Sequence, residues 1–84
     1  MSELLRDEPD QPSRYETICT FYIGQIADGS IRPGELLPAA HRVAEQHGTS
    51  ASTARRGLRL LADLGWATPV PGYPYIALLP ERRS

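Results

Sequence analysis

Residues 50–65 constrain the fold of this chain most strongly, because they divide into two stripes at helical spacing. Apolar residues recur every three or four positions, which places them on one face of an α-helix. They are Ala54, Gly57, Leu58, Leu61 and Leu64. The polar stripe, on the opposite face, consists of Ser52, Arg55, Arg56 and Arg59. One face of this helix is therefore expected to enter a core, while the other presents hydroxyls and guanidiniums to a partner.

The chemistry of the polar stripe points to nucleic acid. Guanidinium groups bind phosphates and guanine edges through forked hydrogen bonds, and small hydroxyl side chains let a helix approach DNA closely. The same stripe is also typical of a solvated helix face. Its place on the second helix of a helix-turn-helix, followed by a hairpin, favours DNA contact.

Length and composition bound the class of protein. The chain has 84 residues, which suffice for one small domain, and its 40% apolar content is ordinary for a globular protein. The single Cys19 is expected to be a buried hydrophobe, since no internal disulfide is possible. The sequence has neither a bilayer-spanning run nor the basic start of a signal peptide, which points to the cytoplasm.

The net charge of −1 conceals an uneven distribution. Acidic residues crowd the start of the chain at Glu3, Asp7, Glu8 and Asp10. From Arg14 onward, eight arginines face six acidic residues, and the chain has no lysine. The folded part is therefore slightly basic, although a GC-rich genome also explains the preference for arginine.

Three helices are expected after a disordered acidic arm at residues 1–13. The first covers residues 14–27, with Ser13 as N-cap, Glu16 completing a capping box and Asp28-Gly29 as its end. The second covers residues 39–47, and Pro38 at its start lies where a first-turn proline is tolerated. A tight turn at Gly48-Thr49 and an N-cap at Ser50 then start the third helix.

Extended segments complete the pattern. Residues 66–70 and 75–79 predict two strands joined by a turn at residues 71–74, and residues 35–37 predict a short extended piece. Pro69 should make the ladder irregular. The fold class is thus α+β: a small winged helix-turn-helix over residues 14–79, with three helices, a two- to three-stranded wing and a basic tail at residues 80–84. The expected buried residues are Ile18, Tyr22, Ile26, Val43, Ala44, Leu58, Leu61 and Trp66.

Three segments of the chain carry a family resemblance: Ile26-Ala27-Asp28-Gly29, Pro33-Gly34-Glu35-Leu36-Leu37-Pro38 and the pattern of residues 50–65. In this order and spacing they resemble the DNA-binding domain of the GntR family of bacterial repressors. The resemblance covers residues 14–79. It implies a winged helix that docks as a dimer on a palindromic operator in double-stranded DNA. The third helix would enter the major groove, with the wing reaching toward the minor groove.

The resemblance also implies a set of DNA-binding residues. Ser50, Thr53 and Arg55 match the family's positions, and Ser52 and Gly72 are compatible with them. Six more residues are expected to belong to the DNA-binding set, because they stand at positions where the family has other residues or could contact a phosphate or the DNA beside the wing. They are His41, Arg42, Ala51, Arg56, Arg59 and Tyr73.

The departures from the family pattern concern those contacts. Where members usually have Ser-Glu-Arg, this chain has Ala39, Ala40 and His41, and Ala51 replaces an arginine. The wing keeps one glycine and gains Pro71, Tyr73 and Pro74, so it should be stiffer. We therefore expect the affinity or the sequence preference to differ from that of typical members.

Members of the family carry an effector-binding or oligomerisation domain after the wing, whereas this sequence stops just past it. The initial Met1 and the lack of a tag-like segment favour a naturally short protein over an excised domain. Without that domain, we expect no small-molecule effector site in this chain. It should be a monomer or weak dimer, two copies of which meet on adjacent half-sites.

Catalysis finds little support, because no Ser/His/Asp arrangement, carboxylate pair or phosphate-cradling loop is evident. We therefore expect a non-enzyme without cofactor or metal. Two functions remain open. One is a sequence-specific transcriptional regulator, a repressor that acts by occupying a promoter. The other is a winged-helix module that binds another protein, with the missing arginines reflecting weak DNA contact.

Overall fold

A computed structural model describes residues 13–80 of the chain, except for the side chains of Tyr73 and Pro74. The described elements are α1 (Arg14–Ala27), α2 (Ala40–His47), α3 (Ala51–Asp63), β1 (Ala67–Val70) and β2 (Tyr73–Ala77). The predicted α+β winged helix-turn-helix with three helices is confirmed. The expected acidic arm and basic tail lie outside the described residues, apart from Ser13 and Pro80.

Helix α1 has the predicted bounds because both of its ends are fixed locally. At its start, Ser13 Oγ accepts a hydrogen bond from Glu16 N at 3.4 Å, and Glu16 Oε1 accepts one from Ser13 N at 3.1 Å. At its end, Gly29 takes a φ of 90°, which favours glycine. The Asp28 carboxylate accepts a hydrogen bond from Ser30 N at 2.8 Å, and this bond lowers the pKa of Asp28.

Helices α2 and α3 form the predicted helix-turn-helix, with one correction at the start of α2. Ala39 is the N-cap, since its ψ of 157° is extended, so α2 starts at Ala40 instead of residue 39, and Pro38 precedes the helix. Gly48 ends α2 in the left-handed region at φ 65°. Ser50 then caps α3 as predicted, its hydroxyl accepting a hydrogen bond from Thr53 N at 3.1 Å.

Helix α3 is the centre of the core, because α1, α2 and β1 all pack against it. The buried apolar residues are Ile18, Cys19, Tyr22, Ile26, Leu37, Val43, Ala44, Ala54, Leu58, Leu61, Ala67 and Ala77. Two sequence expectations are wrong here. Trp66 is only partly buried, since it lies in the bend between α3 and β1. Leu64 is 52% exposed, because α3 ends at Asp63 and Gly65 redirects the chain with a φ of 92°.

The wing is a two-stranded antiparallel sheet whose strands are shifted from the predicted ranges. Trp66 precedes β1, and β2 starts at Tyr73, so the turn is only Pro71-Gly72 and not residues 71–74. Gly72 supplies the positive φ of 85° that this tighter turn uses. The pairing register shifts between Thr68 and Val70, so the ladder is irregular at Pro69, as the sequence predicted.

A third extended segment borders the wing. Leu36 forms an isolated bridge to Ile76 in β2. Leu37 N donates to Tyr75 O at 2.9 Å, and Ala77 N donates to the carbonyl of residue 35 at the same distance. Strand β2 therefore lies between this segment and β1, which agrees with the predicted two to three strands. Within residues 13–80, no helix is long and apolar enough to cross a membrane.

Candidate nucleic-acid interface

The first turn of α3 has backbone N–H donors without an acceptor in the helix. Ser50 satisfies the N–H of Thr53 and also donates its hydroxyl to Thr53 Oγ1 at 3.0 Å. The helix itself supplies no acceptor for the N–H groups of Ala51 and Ser52. Aligned peptide dipoles give the same end a partial positive charge. This end of α3 can therefore receive an anionic oxygen.

The polar stripe of α3 is exposed along its whole length, at Ser52, Arg55, Arg56 and Arg59. The apolar stripe is buried at Ala54, Gly57, Leu58 and Leu61. The rotational phase predicted for this helix is therefore confirmed, apart from Leu64 at its end. Three guanidiniums lie within about one and a half turns of this helix, so this part of the polar stripe carries a net positive charge.

An open groove of about 520 Å³ runs along the polar stripe, between α3 and the start of α1. Its lining residues are Tyr15, Ser52, Arg55, Arg56, Arg59, Leu60 and Asp63. The structure thus brings four predicted site residues into one concave surface. The single carboxylate in this lining, Asp63, lies at the last turn of α3, away from the helix start.

Tyr15 is a member of this groove that the sequence did not reveal. The Arg56 guanidinium carbon lies 4.3 Å from the centroid of the Tyr15 ring, within cation–π range. In the sequence, Tyr15 reads only as the first residue of the apolar stripe of α1. No local pattern pairs it with a residue 41 positions away.

The remaining predicted site residues lie outside this groove. His41 and Arg42 are exposed in the first turn of α2, and Gly72 is exposed at the tip of the wing. Ala51 and Thr53 are half-buried at the start of α3. The side chain of Tyr73, the other predicted wing contact, lies outside the described structure.

A smaller groove of about 220 Å³ is lined by Arg14, Thr17 and Ile18 of α1 and by His47 at the end of α2. His47 is half-buried and packs edge-on against Phe21, with ring centroids 5.0 Å apart. Its role here is packing. Across residues 13–80, no three His, Cys, Asp or Glu side chains are grouped so that they could hold a metal ion.

Comparisons with known proteins agree with this geometry. The sequence model described as "Bacterial regulatory proteins, gntR family" matches residues 23–74. Two curated regulators are also similar. YjiR of Escherichia coli (strain K12), an uncharacterized HTH-type transcriptional regulator, is 32% identical over 63 residues. The HTH-type transcriptional regulator TreR of Bacillus subtilis (strain 168) is 31% identical over 70 residues.

The matched regions cover most of this chain but little of its relatives. For YjiR they cover 75% of this chain and 13% of the relative, and for TreR 83% and 29%. The same holds for a solved structure, S. agalactiae BusR in complex with its busAB-promotor DNA. It is 35% identical with a TM-score of 0.73, over 82% of this chain and 34% of that one.

The family model spans the helix-turn-helix, including all of α2 and α3, and extends through the turn of the wing. The matched relatives are transcriptional regulators. This chain belongs to the gntR family of bacterial regulatory proteins.

Proposed function

We propose that this chain binds double-stranded DNA sequence-specifically through α3 and regulates transcription, as a repressor that occupies a promoter. The observation that carries this proposal is the polar stripe of α3, which is exposed on a helix whose opposite face is fully buried. BusR, a relative 35% identical, is described bound to promoter DNA, which supports the same partner for this chain.

The start of α3 would enter the major groove. Ser52 has a small exposed side chain, so it permits close approach of the helix to base edges. Arg55 lies one turn further and can form the paired hydrogen bonds that guanidinium makes with guanine. Arg59 is a further turn from the helix start and is expected to reach only a phosphate. Base reading and backbone anchoring are thus divided along one helix.

The wing and a second copy of the chain would complete the interface. Gly72, exposed at the tip of the wing, would approach the neighbouring minor groove. We expect a monomer or weak dimer in solution, two copies of which bind half-sites of a palindromic operator separated by about one helical turn of DNA.

Quantitative binding to defined duplexes tests the proposal. A preferred duplex is first selected from a randomised pool with the full chain, and a scrambled version serves as reference. Arg55→Ala should cost about 1–3 kcal/mol of binding free energy on the preferred duplex and little on the scrambled one. Arg59→Ala should lower the affinity for both duplexes comparably. It should also reduce the slope of log binding constant against log salt concentration by about 0.9. Arg32→Ala is the matched control, because it removes the same charge from the exposed loop between α1 and α2.

Ala51→Arg returns an arginine at the helix start and should strengthen binding, although residue 51 is half-buried and the longer side chain must extend outward. Binding by the wild-type chain with neither a salt slope nor a preference, unchanged in all variants, would contradict the proposal. The protein-binding module would then be the better explanation.

A further inference from the structure

The contact between Tyr15 and Arg56 joins α1 to the polar stripe of α3. Tyr15 is half-buried in the first turn of α1, and its ring lies 4.3 Å from the exposed guanidinium of Arg56. The arginines at positions 55 and 59 line the same groove and repel this guanidinium. The negative face of the ring offsets that repulsion and holds Arg56 in place.

The backbone around this contact is fixed from two sides. The capping box of Ser13 and Glu16 anchors the turn that carries Tyr15. On α3, a Cβ at Gly57 would lie 2.9 Å from the Tyr15 carbonyl oxygen, so the two helices are in close contact beside Arg56. The ring is therefore presented by a rigid helix crossing and not by a mobile loop.

The number of donors on guanidinium leaves Arg56 able to bind while it contacts the ring. Guanidinium has five N–H donors in a rigid fork, more than a contact with one ring occupies. Donors of Arg56 therefore remain for a phosphate group, whose oxygens accept such bonds in paired geometry.

We propose that Tyr15 is a positioning residue: it holds Arg56 ready to bind a backbone phosphate of DNA, and the start of α1 thereby supports the interface from behind. This inference rests on the proposed function, and it assigns Arg56 to the DNA backbone instead of the bases. A side chain that is already ordered loses less conformational freedom on binding, so the stack increases affinity without contacting DNA.

A double-mutant cycle tests the proposal, with the preferred and scrambled duplexes at two salt concentrations. Tyr15→Leu should lower the affinity for both duplexes equally, by about two- to fivefold, which is the range set by the energy of an exposed cation–π pair. Arg56→Ala should lower the affinity for both duplexes more strongly. Adding Tyr15→Leu to Arg56→Ala should then change nothing, because Tyr15 acts only through Arg56.

Two variants control for folding and for direct contact. Tyr15→Phe keeps the ring and should bind as the wild type does. Phe21→Leu removes another aromatic ring of α1, which is 45% exposed and packs on His47 outside the groove, and it should leave DNA affinity unchanged. In the free protein, NMR should show the Arg56 side-chain protons shifted upfield by the ring, and Tyr15→Leu should abolish that shift.

Several results would overturn the positioning role. They are tighter binding by Tyr15→Leu, loss of affinity in Tyr15→Phe, additive effects in the double variant, or no effect of Tyr15→Leu where Arg56→Ala weakens binding. These failures remain distinguishable from failure of the proposed function. Wild-type chain without salt-dependent, sequence-preferring binding refutes the function itself, and the role of Arg56 with it.

Discussion

Gly57 lies where α3 approaches the backbone of α1 closely, and substituting it tests the structure directly. In Gly57→Ala, the new Cβ would lie 2.9 Å from the Tyr15 carbonyl oxygen and 3.0 Å from Ile18 Cγ2. A backbone carbonyl cannot move without moving α1, so we expect overpacking to cost about 1–3 kcal/mol. Replacing glycine by alanine within a helix returns about 0.5–1 kcal/mol. The net loss in the free energy of unfolding should be about 1 kcal/mol, or roughly 4–8 °C in Tm.

Gly24→Ala is the matched control for this prediction. Gly24 also lies within a helix, but it is exposed, and a Cβ there meets nothing within 4 Å. This variant should therefore show the helix-propensity gain alone, about 0.5–1 kcal/mol of added stability. Thermal and urea unfolding followed by circular dichroism measure both changes. If Gly57→Ala is stabilised as much as Gly24→Ala, the helices are not in the close contact described.

Three further predictions concern local features. Ser50→Ala removes the N-cap of α3 and should lower the free energy of unfolding by about 1 kcal/mol in urea titrations; unchanged stability would mean that the cap hydrogen bond is not formed. Burial raises the pKa of the Cys19 thiol, so a thiol reagent should label it slowly in the native chain and rapidly in urea, and fast native labelling would contradict its burial. The pKa of Asp28 is lowered by its hydrogen bond to Ser30, so its contribution to stability is present above the ordinary carboxyl pKa and is lost as the pH falls through the lowered value. The stability difference between wild type and Asp28→Ala should accordingly shrink on acidification, and a difference that is constant with pH would oppose this account.

Local signals account for the helices that the sequence predicted. The capping pair of Ser13 and Glu16 and the glycine after Asp28 set both ends of α1, and Ser50 sets the start of α3. The orientation of α3 also followed from spacing, because arginines cannot share a buried face with leucines. These features depend on neighbours within four residues, which the sequence displays directly.

Tertiary contacts account for what the sequence did not predict. The tighter wing turn depends on where β2 pairs with β1, and the partial burial of Trp66 depends on the bend after α3. The stacking of Tyr15 on Arg56 depends on how α1 crosses α3, which Gly57 permits. None of these is encoded in the spacing of nearby residues.

The order of the extended segments in the wing has a consequence for how the protein behaves in concentrated solution. Strand β2 is covered on both sides, by β1 and by the segment at Leu36, so β1 forms one outer edge of the described sheet. Exposed edges are templates on which other chains add strands and aggregate. Here the edge is four residues long and contains Pro69, which has no N–H to offer, beside a break in pairing register. Such an edge is a poor template for a second chain, so the proline at the break in register also protects the protein against edge-to-edge aggregation.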